Sequence, residues 1–365
     1  MISIEKVFNN FLIEGALKTA ETFGDGHIND TYLVSVEFDG RINEYVFQRI
    51  NRNAFKDIPG LMSNFAAVTE YFKKKLISEG ADVKREVLNL VYTRDGKSYY
   101  EDEEGGAWRV TIFVTNSKSY TINTRPEQIY ESTLAFGKFQ KALKDFPADT
   151  LSETIPDFHN TPKRFRALLD AAEKNVVSRL DSVNDEYNFA LSRKEFCNTL
   201  ENLKNEGVLP IRVTHNDTKL NNVLFDSETD KAICVIDLDT VMPGLSVNDF
   251  GDSVRASTST AAEDEVDLSK VNFNIELYEL AVRGFLDGVD GSLTEAEIRE
   301  MPTAAIMMTL ECGIRFLTDY LAGDVYFKIS RPNHNLDRAR TQFKLVSEME
   351  KRIDEMRAIV NKYSH

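Results

Sequence analysis

Apolar residues recur at helical spacing over residues 1–20, where Ile4, Val7, Phe8, Phe11, Leu12 and Leu17 share one face. That period predicts an amphipathic helix. The pattern then changes. "TYLVSVEF", "NEYVFQRIN", "REVLNLVYT", "KSYYEDEEG" and "AWRVTIFVT" are short runs rich in β-branched and aromatic residues, bounded by Gly, Asp and Asn. They predict the strands of an antiparallel sheet. One helical segment, "PGLMSNFAAVTEYFKKKLISEG", interrupts them after the second run, so the first 115 or so residues read β-β-α-β-β-β. Helical spacing follows from Pro126 to Phe146 and from Pro162 to about Asn205. "NNVLFD" and "KAICVIDLD" predict two short strands, and helix dominates from about Ser269 to the end. The polar "STSTAAEDEVDLSK" reads as an exposed loop. The expected fold class is α+β, with a small antiparallel β-rich lobe over residues 1–115 and a larger, mainly helical lobe over 116–365.

Composition narrows the choices. Hydrophobic residues make up 42% and charged residues 28% of 365, ordinary values for a soluble globular protein. No apolar run approaches the 18 or more residues of a membrane-spanning helix, and "MISIEKVFNNFLIEGALK" carries charges inside its apolar pattern, unlike a signal or transit peptide. Cys197, Cys234 and Cys312 are odd in number and widely spaced, as reduced cytosolic thiols are. The expected setting is the cytoplasm. A net charge of −15 argues against nucleic acid or an anionic membrane as partner. Any phosphate must therefore be met by local cations, a metal or backbone amides.

"VTHNDTKLNNVLFD" concentrates the candidate chemistry. His215, Asp217 and Asn222 have the H-x-D-x-x-x-x-N spacing of a kinase catalytic loop, in which the Asp takes the proton of the attacking hydroxyl and the Asn binds Mg²⁺. Fifteen residues on, the apolar run "CVIDLDT" ends in Asp237, the place of a second metal-binding carboxylate. Asp239 follows where kinases have glycine, and in a strand it would face the same side as Asp237. Lys219 either neutralises the transferring phosphoryl group or is merely solvated. His215 reads as a brace for the loop.

The front of the chain offers "FGDGHINDTYLV", in which Gly24 and Gly26 precede a strand and let the backbone approach phosphate oxygens. This is neither a Walker A loop nor a full GxGxxG. The strand "YVFQRIN" lacks the phosphate-binding lysine; Gln48 or Arg49 holds that place, and alternation puts them on opposite faces.

Together "GDGHINDTY", "VFQRIN", "THNDTKLNNVLFD", "VIDLDTVMPGLSVNDFGDSVR" and "RFLTDYLAGDVYFK" resemble the aminoglycoside phosphotransferase and choline kinase family, and within it the N-acetylhexosamine 1-kinases, over residues 20 to 345 or so. The resemblance implies a bilobal protein-kinase-like fold. It implies transfer of phosphate from ATP, with Mg²⁺, to the anomeric hydroxyl of N-acetylglucosamine or N-acetylgalactosamine. By it Asp217 is the catalytic base, Asn222 and Asp237 are the metal ligands, and His27, Arg315 and Tyr326 hold the sugar. The adenine-binding hinge falls near Ile112 to Thr115, with Phe113 and Thr115 on the nucleotide. Asp249 and Asp252 brace the catalytic loop. Simpler explanations stand beside these: Arg315 has Asp319 four residues on as an ion-pair partner, Tyr326 can be an ordinary half-buried aromatic, and His27 a plain loop residue. The expected partners are a small-molecule sugar and ATP, with no nucleic acid or membrane, on a monomer or weak dimer. The rival readings are another acceptor (choline, homoserine, an aminoglycoside or another sugar) and a nucleotide-binding pseudokinase.

Overall fold

The computed structural model describes residues 4–24 and 28–364; Gly26 and His27, both candidate site residues, lie outside them. The chain divides into two compact units. The first combines Met1–Ser119 with Asp145–Pro156 and Val223–Pro243; the second combines Tyr120–Lys144, Asp157–Asn222 and Gly244–His365. The chain re-enters the first unit twice. Among the described residues no helix is long and apolar enough to cross a membrane.

The first unit is built on an antiparallel sheet. Its strands are β1 (Ala16–Thr22), β2 (Asp30–Phe38), β3 (Arg41–Ile50), β4 (Leu90–Val91), β5 (Tyr100–Glu101) and β6 (Ala107–Ile112), in the order β1-β2-β3-β6-β4 with β5 on β6. Alternation sends Val34, Val36, Phe47, Trp108 and Val110 into one core with Val7, Phe8 and Phe11. The helix expected over residues 1–20 is reduced to α1 (Ile4–Phe8), and residues 16–22 form β1. Gly15 stands directly before β1, seven residues after α1 ends. It sits at φ +116°, and a Cβ there would lie 2.4 Å from the Glu37 carbonyl oxygen. Six of the seven β1 residues are exposed, so their apolar pattern carries no strand signal; pairing with β2 makes the strand. "REVLNLVYT" and "KSYYEDEEG" each supply only two strand residues.

Helix α2 (Ile58–Glu79) follows β3. Asp57 caps its start by accepting from the Gly60 N–H at 3.0 Å, Pro59 occupies its first turn, and Gly80 ends it in the left-handed region. A three-stranded sheet in the order β10-β9-β7 completes the unit, from β7 (Ser117–Lys118), β9 (Val223–Asp226) and β10 (Ala232–Val235).

The second unit is helical: α3 (Glu127–Ala142), α4 (Thr161–Lys174), α5 (Asn184–Leu191), α6 (Thr199–Asn205), α7 (Ser246–Ser257), α8 (Ile275–Val289), α9 (Glu295–Ala322), α10 (His334–Lys351) and α11 (Ile353–Tyr363), with the short strand β8 (Arg212–Thr214). Thr294 and Glu297 form a reciprocal capping box that starts α9, and Gly323 ends it. Helices α3 and α8 meet backbone to backbone because Gly137, Gly284 and Gly288 line the contact. A Cβ on Gly284 would lie 2.3 Å from the Tyr130 carbonyl oxygen. Gly284→Ala is therefore expected to lower stability by about 1–3 kcal/mol, the cost of overpacking, read as an earlier urea midpoint at unchanged slope.

Candidate active site

Strand β8 delivers the chain into the loop at 215–219, and a 3₁₀ turn, Leu220–Asn222, follows. Helix α7 grips this loop through its backbone. The buried Asp249 carboxylate accepts from the His215 N–H at 2.9 Å, the Asn216 N–H at 2.8 Å and the Gln140 amide at 2.7 Å. Asp252 accepts from the Thr218 N–H at 2.9 Å. Burial alone would raise the Asp252 carboxyl, but Arg255, Lys219 and His159 hold it at about 2. His215 is fully buried against Phe136 and Phe139, and its Nδ1 accepts from the Asp217 N–H at 3.3 Å. Asn216 takes a left-handed backbone, φ 65°, which turns the chain just before Asp217.

Asp217 stays partly open, with 24% of its side chain exposed. Its Oδ1 lies 2.7 Å from Lys219 Nζ, and its Oδ2 accepts from the Asn222 amide at 3.0 Å. The Lys219 ammonium is held above its ordinary value by Asp217 foremost. So the cation left open in the sequence is paired with the candidate base. Asn222 also donates to the Asp217 carbonyl at 2.7 Å. Its N–H₂ is thus committed to residue 217, which leaves the Oδ1 end for a cation.

Asp237 and Asp239 depart from expectation. They do not share a strand, because β10 stops at Val235. Asp237 is exposed in the left-handed region at φ 60°, ψ 57°, and Asp239 is buried in the 3₁₀ turn Leu238–Thr240. Both Asp239 oxygens are taken: Oδ1 by Arg109 Nη1, and Oδ2 by the Asn29 amide at 2.6 Å. Asp239 therefore anchors the turn. Arg109 stands opposite Gln48 in the β3–β6 register, donates to Gln48 Oε1 at 2.9 Å and lies 4.8 Å over the Phe65 ring. The cation beside Gln48 comes from the neighbouring strand, which sequence reading missed. The one signal was a charge inside the apolar "AWRVTIF".

Arg49 points the other way. It lies against the Asp102–Gly106 turn, where a Cβ on Gly106 would come within 2.6 Å of its Nε. That is the face of β3 opposite Gln48. Gly24 has φ +76°, and among the described residues nothing would lie within 4 Å of a Cβ there. Beyond β6, the Phe113 N–H donates to the Glu44 carbonyl at 3.0 Å and its ring meets Phe23 edge-on at 5.8 Å. Thr115 is exposed, its carbonyl accepting from Arg85 at 3.2 Å.

In the second unit, Arg315 on α9 lies 5.0 Å from the Phe158 ring centre and 5.6 Å from that of Phe327. Asp319 is not its partner. That carboxylate accepts from the N–H groups of Val325, Tyr326 and Phe327 at 2.8–2.9 Å and from the Asn335 amide. Asp319 thus ties down the loop that carries Tyr326, whose ring stays exposed beside Phe327. Among the described residues Arg315 makes no ion pair. His159 and Glu311, unsuspected from sequence, form a buried pair one turn of α9 away.

Residues 19–281, which include His215–Asn222 and Asp237, match the model of the phosphotransferase enzyme family. The chain belongs to that family. Solved structures share its fold at low identity. An aminoglycoside phosphotransferase from Alicyclobacillus acidocaldarius is similar at TM-score 0.63 and 14% identity, covering 99% of this chain and 97% of that one. A choline kinase from Cryptosporidium parvum Iowa II aligns at TM-score 0.57 and 15% identity over 94% and 92%. A spectinomycin phosphotransferase in complex with ADP and spectinomycin aligns at 0.58 and 14% over 95% and 97%.

The two candidate metal ligands, one in each unit, are oxygen donors of the kind a hard divalent cation takes. Asn222 offers an amide oxygen and Asp237 an exposed carboxylate. Mg²⁺ takes such oxygen ligands, one or two from protein and the rest from phosphates and water.

Proposed function

We propose that this phosphotransferase is an ATP- and Mg²⁺-dependent small-molecule kinase that phosphorylates the anomeric hydroxyl of an N-acetylhexosamine, N-acetylglucosamine or N-acetylgalactosamine. Asp217 orients that hydroxyl in line with the γ-phosphorus and accepts its proton. Lys219, paired with Asp217, keeps its proton and offsets the charge of the transferring phosphoryl group. Asn222 and Asp237 would each offer an oxygen to Mg²⁺, which when bound supplies charge that offsets what builds on the phosphate oxygens. Gly24 and the backbone from Phe113 to Thr115 receive the nucleotide. Arg315 and Tyr326, with His27, hold the sugar.

The observation that carries the choice of acceptor is the Arg315 guanidinium, without an ion-pair partner among the described residues and lodged between Phe158 and Phe327. An acetamido carbonyl is a neutral acceptor for such a cation, and aromatic rings stack on the apolar face of a sugar. Choline and aminoglycosides are cations and would be repelled.

Proton-coupled ³¹P NMR of the protein with Mg-ATP and each amino sugar, with choline and kanamycin as controls, tests this. A sugar 1-phosphate doublet is expected from an amino sugar alone. Arg315→Ala is expected to raise KM for the sugar about 10- to 100-fold, the loss of a charge-assisted hydrogen bond, with KM for ATP unchanged. Product from an amine acceptor would remove Arg315 from the substrate site.

A further inference from the structure

His159 lies in the second unit just before α4, with both ring nitrogens facing oxygen. Nδ1 is 2.8 Å from Glu311 Oε1, and Nε2 is 3.0 Å from the Asn216 carbonyl oxygen. A neutral imidazole has one N–H and one lone pair. Against two acceptors it would aim that lone pair at an oxygen. A carbonyl cannot donate, so the only escape for a neutral ring is a protonated Glu311. The surroundings of Glu311 oppose that: its Oε2 accepts from the Thr161 hydroxyl at 2.6 Å, and Arg315 stands one helical turn along α9. Burial would raise the Glu311 carboxyl, but His159 and Arg315 hold it below its ordinary value.

We infer that His159 is a buried imidazolium that positions the catalytic base, tying the Asn216 carbonyl, and with it the Asn216–Asp217 peptide, to Glu311 on α9. Asp249 holds the Asn216 N–H at 2.8 Å. The residue before Asp217 is thereby fixed at both ends of its backbone, in a left-handed conformation that asparagine tolerates. His159 touches no reacting atom in this arrangement and is a positioning residue.

The charged groups that act on the ring are Glu311 on α9 and Asp252 on α7, and those that act with its partner Glu311 are Arg315 on α9, Arg164 on α4 and Cys197 in the turn before α6. Burial opposes the ring's charge, yet Glu311, the Asn216 carbonyl and Asp252 outweigh it and raise its proton affinity. A group raised on folding contributes stability that is complete below its unfolded value, about 6.5 for His. That contribution is lost as pH climbs through the raised folded value. Loss of one proton leaves the other on the Glu311 side, where the ion pair is strongest, and frees the Asn216 carbonyl. The clamp therefore opens on the alkaline side.

¹⁵N NMR of histidine-labelled protein at pH 7 without substrate reads the ring directly, with His159→Gln assigning its signals among five histidines. Two protonated nitrogens at His159 are expected; one protonated nitrogen overturns the inference. This arm needs no acceptor, so it stands apart from the amino sugar proposal, on which only the kinetic arm rests. With the acceptor found by ³¹P NMR, His159→Gln is expected to lower kcat about 10²-fold, as a small misplacement of the base does, with KM for ATP unchanged. Glu311→Gln supplies an amide that donates to Nδ1 and lets a neutral ring keep its Nε2–H on Asn216. The alkaline fall in kcat is then expected to vanish. Wild-type kcat in His159→Gln, or an unchanged alkaline fall in Glu311→Gln, would remove the positioning role.

Discussion

Asp217→Asn is expected to lower kcat by about 10²–10⁴-fold, the range that a positioned general base contributes, while the affinity for Mg-ATP changes little. The carboxamide keeps the size of the side chain and its Oδ1 still reaches Lys219, but it accepts no proton. The surrounding loop has independent support. Asp249 holds the His215 and Asn216 N–H groups, Asp252 holds the Thr218 N–H, and none of these three bonds involves the side chain of residue 217. The fold should survive, so the loss should fall on turnover. The check is single-turnover phosphoryl transfer beside calorimetric titration with Mg-ATP. Near-normal turnover would place the base elsewhere. A parallel loss of nucleotide affinity would mean that Asp217 serves the metal, since its Oδ2 already receives the amide of Asn222.

The largest loss of stability is expected from Asp239→Ala. The Arg109–Asp239 pair is almost wholly sealed from water, with side-chain exposures of 1% and 3%. Removing the carboxylate leaves a guanidinium that can neither reach solvent nor discard its proton. Breaking such a pair by taking one partner costs about 3–5 kcal/mol. The Asn29 amide loses its acceptor in the same step. Replacing both partners with apolar residues, Arg109→Met with Asp239→Leu, is expected to recover much of that loss, because no charge then remains stranded. Urea unfolding of the two single variants and the double variant gives the coupling energy. A loss below about 1 kcal/mol in Asp239→Ala would be the cost of a surface pair and would mean that water reaches Arg109. The consequence extends to the site, since Asp239 anchors the turn that carries Asp237 two residues earlier.

These two residues mark the limit of what the chain discloses when read alone. Helix α2 was legible because its apolar face, its Asp57 cap and its terminal Gly80 all lie within one continuous stretch. Strands β2, β3 and β6 were legible as short runs rich in β-branched and aromatic residues, although only β2 buries alternate residues and β6 buries five in a row. The spacing His215, Asp217, Asn222 marked the candidate loop because its geometry is set by neighbours a few residues apart. Strand β1 was not legible, since its exposed face left only the backbone bonds to β2 to define it. Asp239 was misread as a strand residue aligned with Asp237 because β10 ends two residues before Asp237, and the left-handed turn there follows no periodicity.

What the sequence determined by itself is the α+β class, the main helices and strands, and the candidate cluster of His215, Asp217 and Asn222, all of which rest on local patterns of polarity, backbone freedom and short spacing. Tertiary structure alone decided how the polar residues are paired. Arg109 meets Asp239 across 130 residues, His159 meets Glu311 across 152, and Asp319 holds the Tyr326 loop instead of Arg315. The physical reason is that a buried charge must find an opposite charge or a hydrogen-bond partner, but nothing in the local chain says which distant residue will provide it.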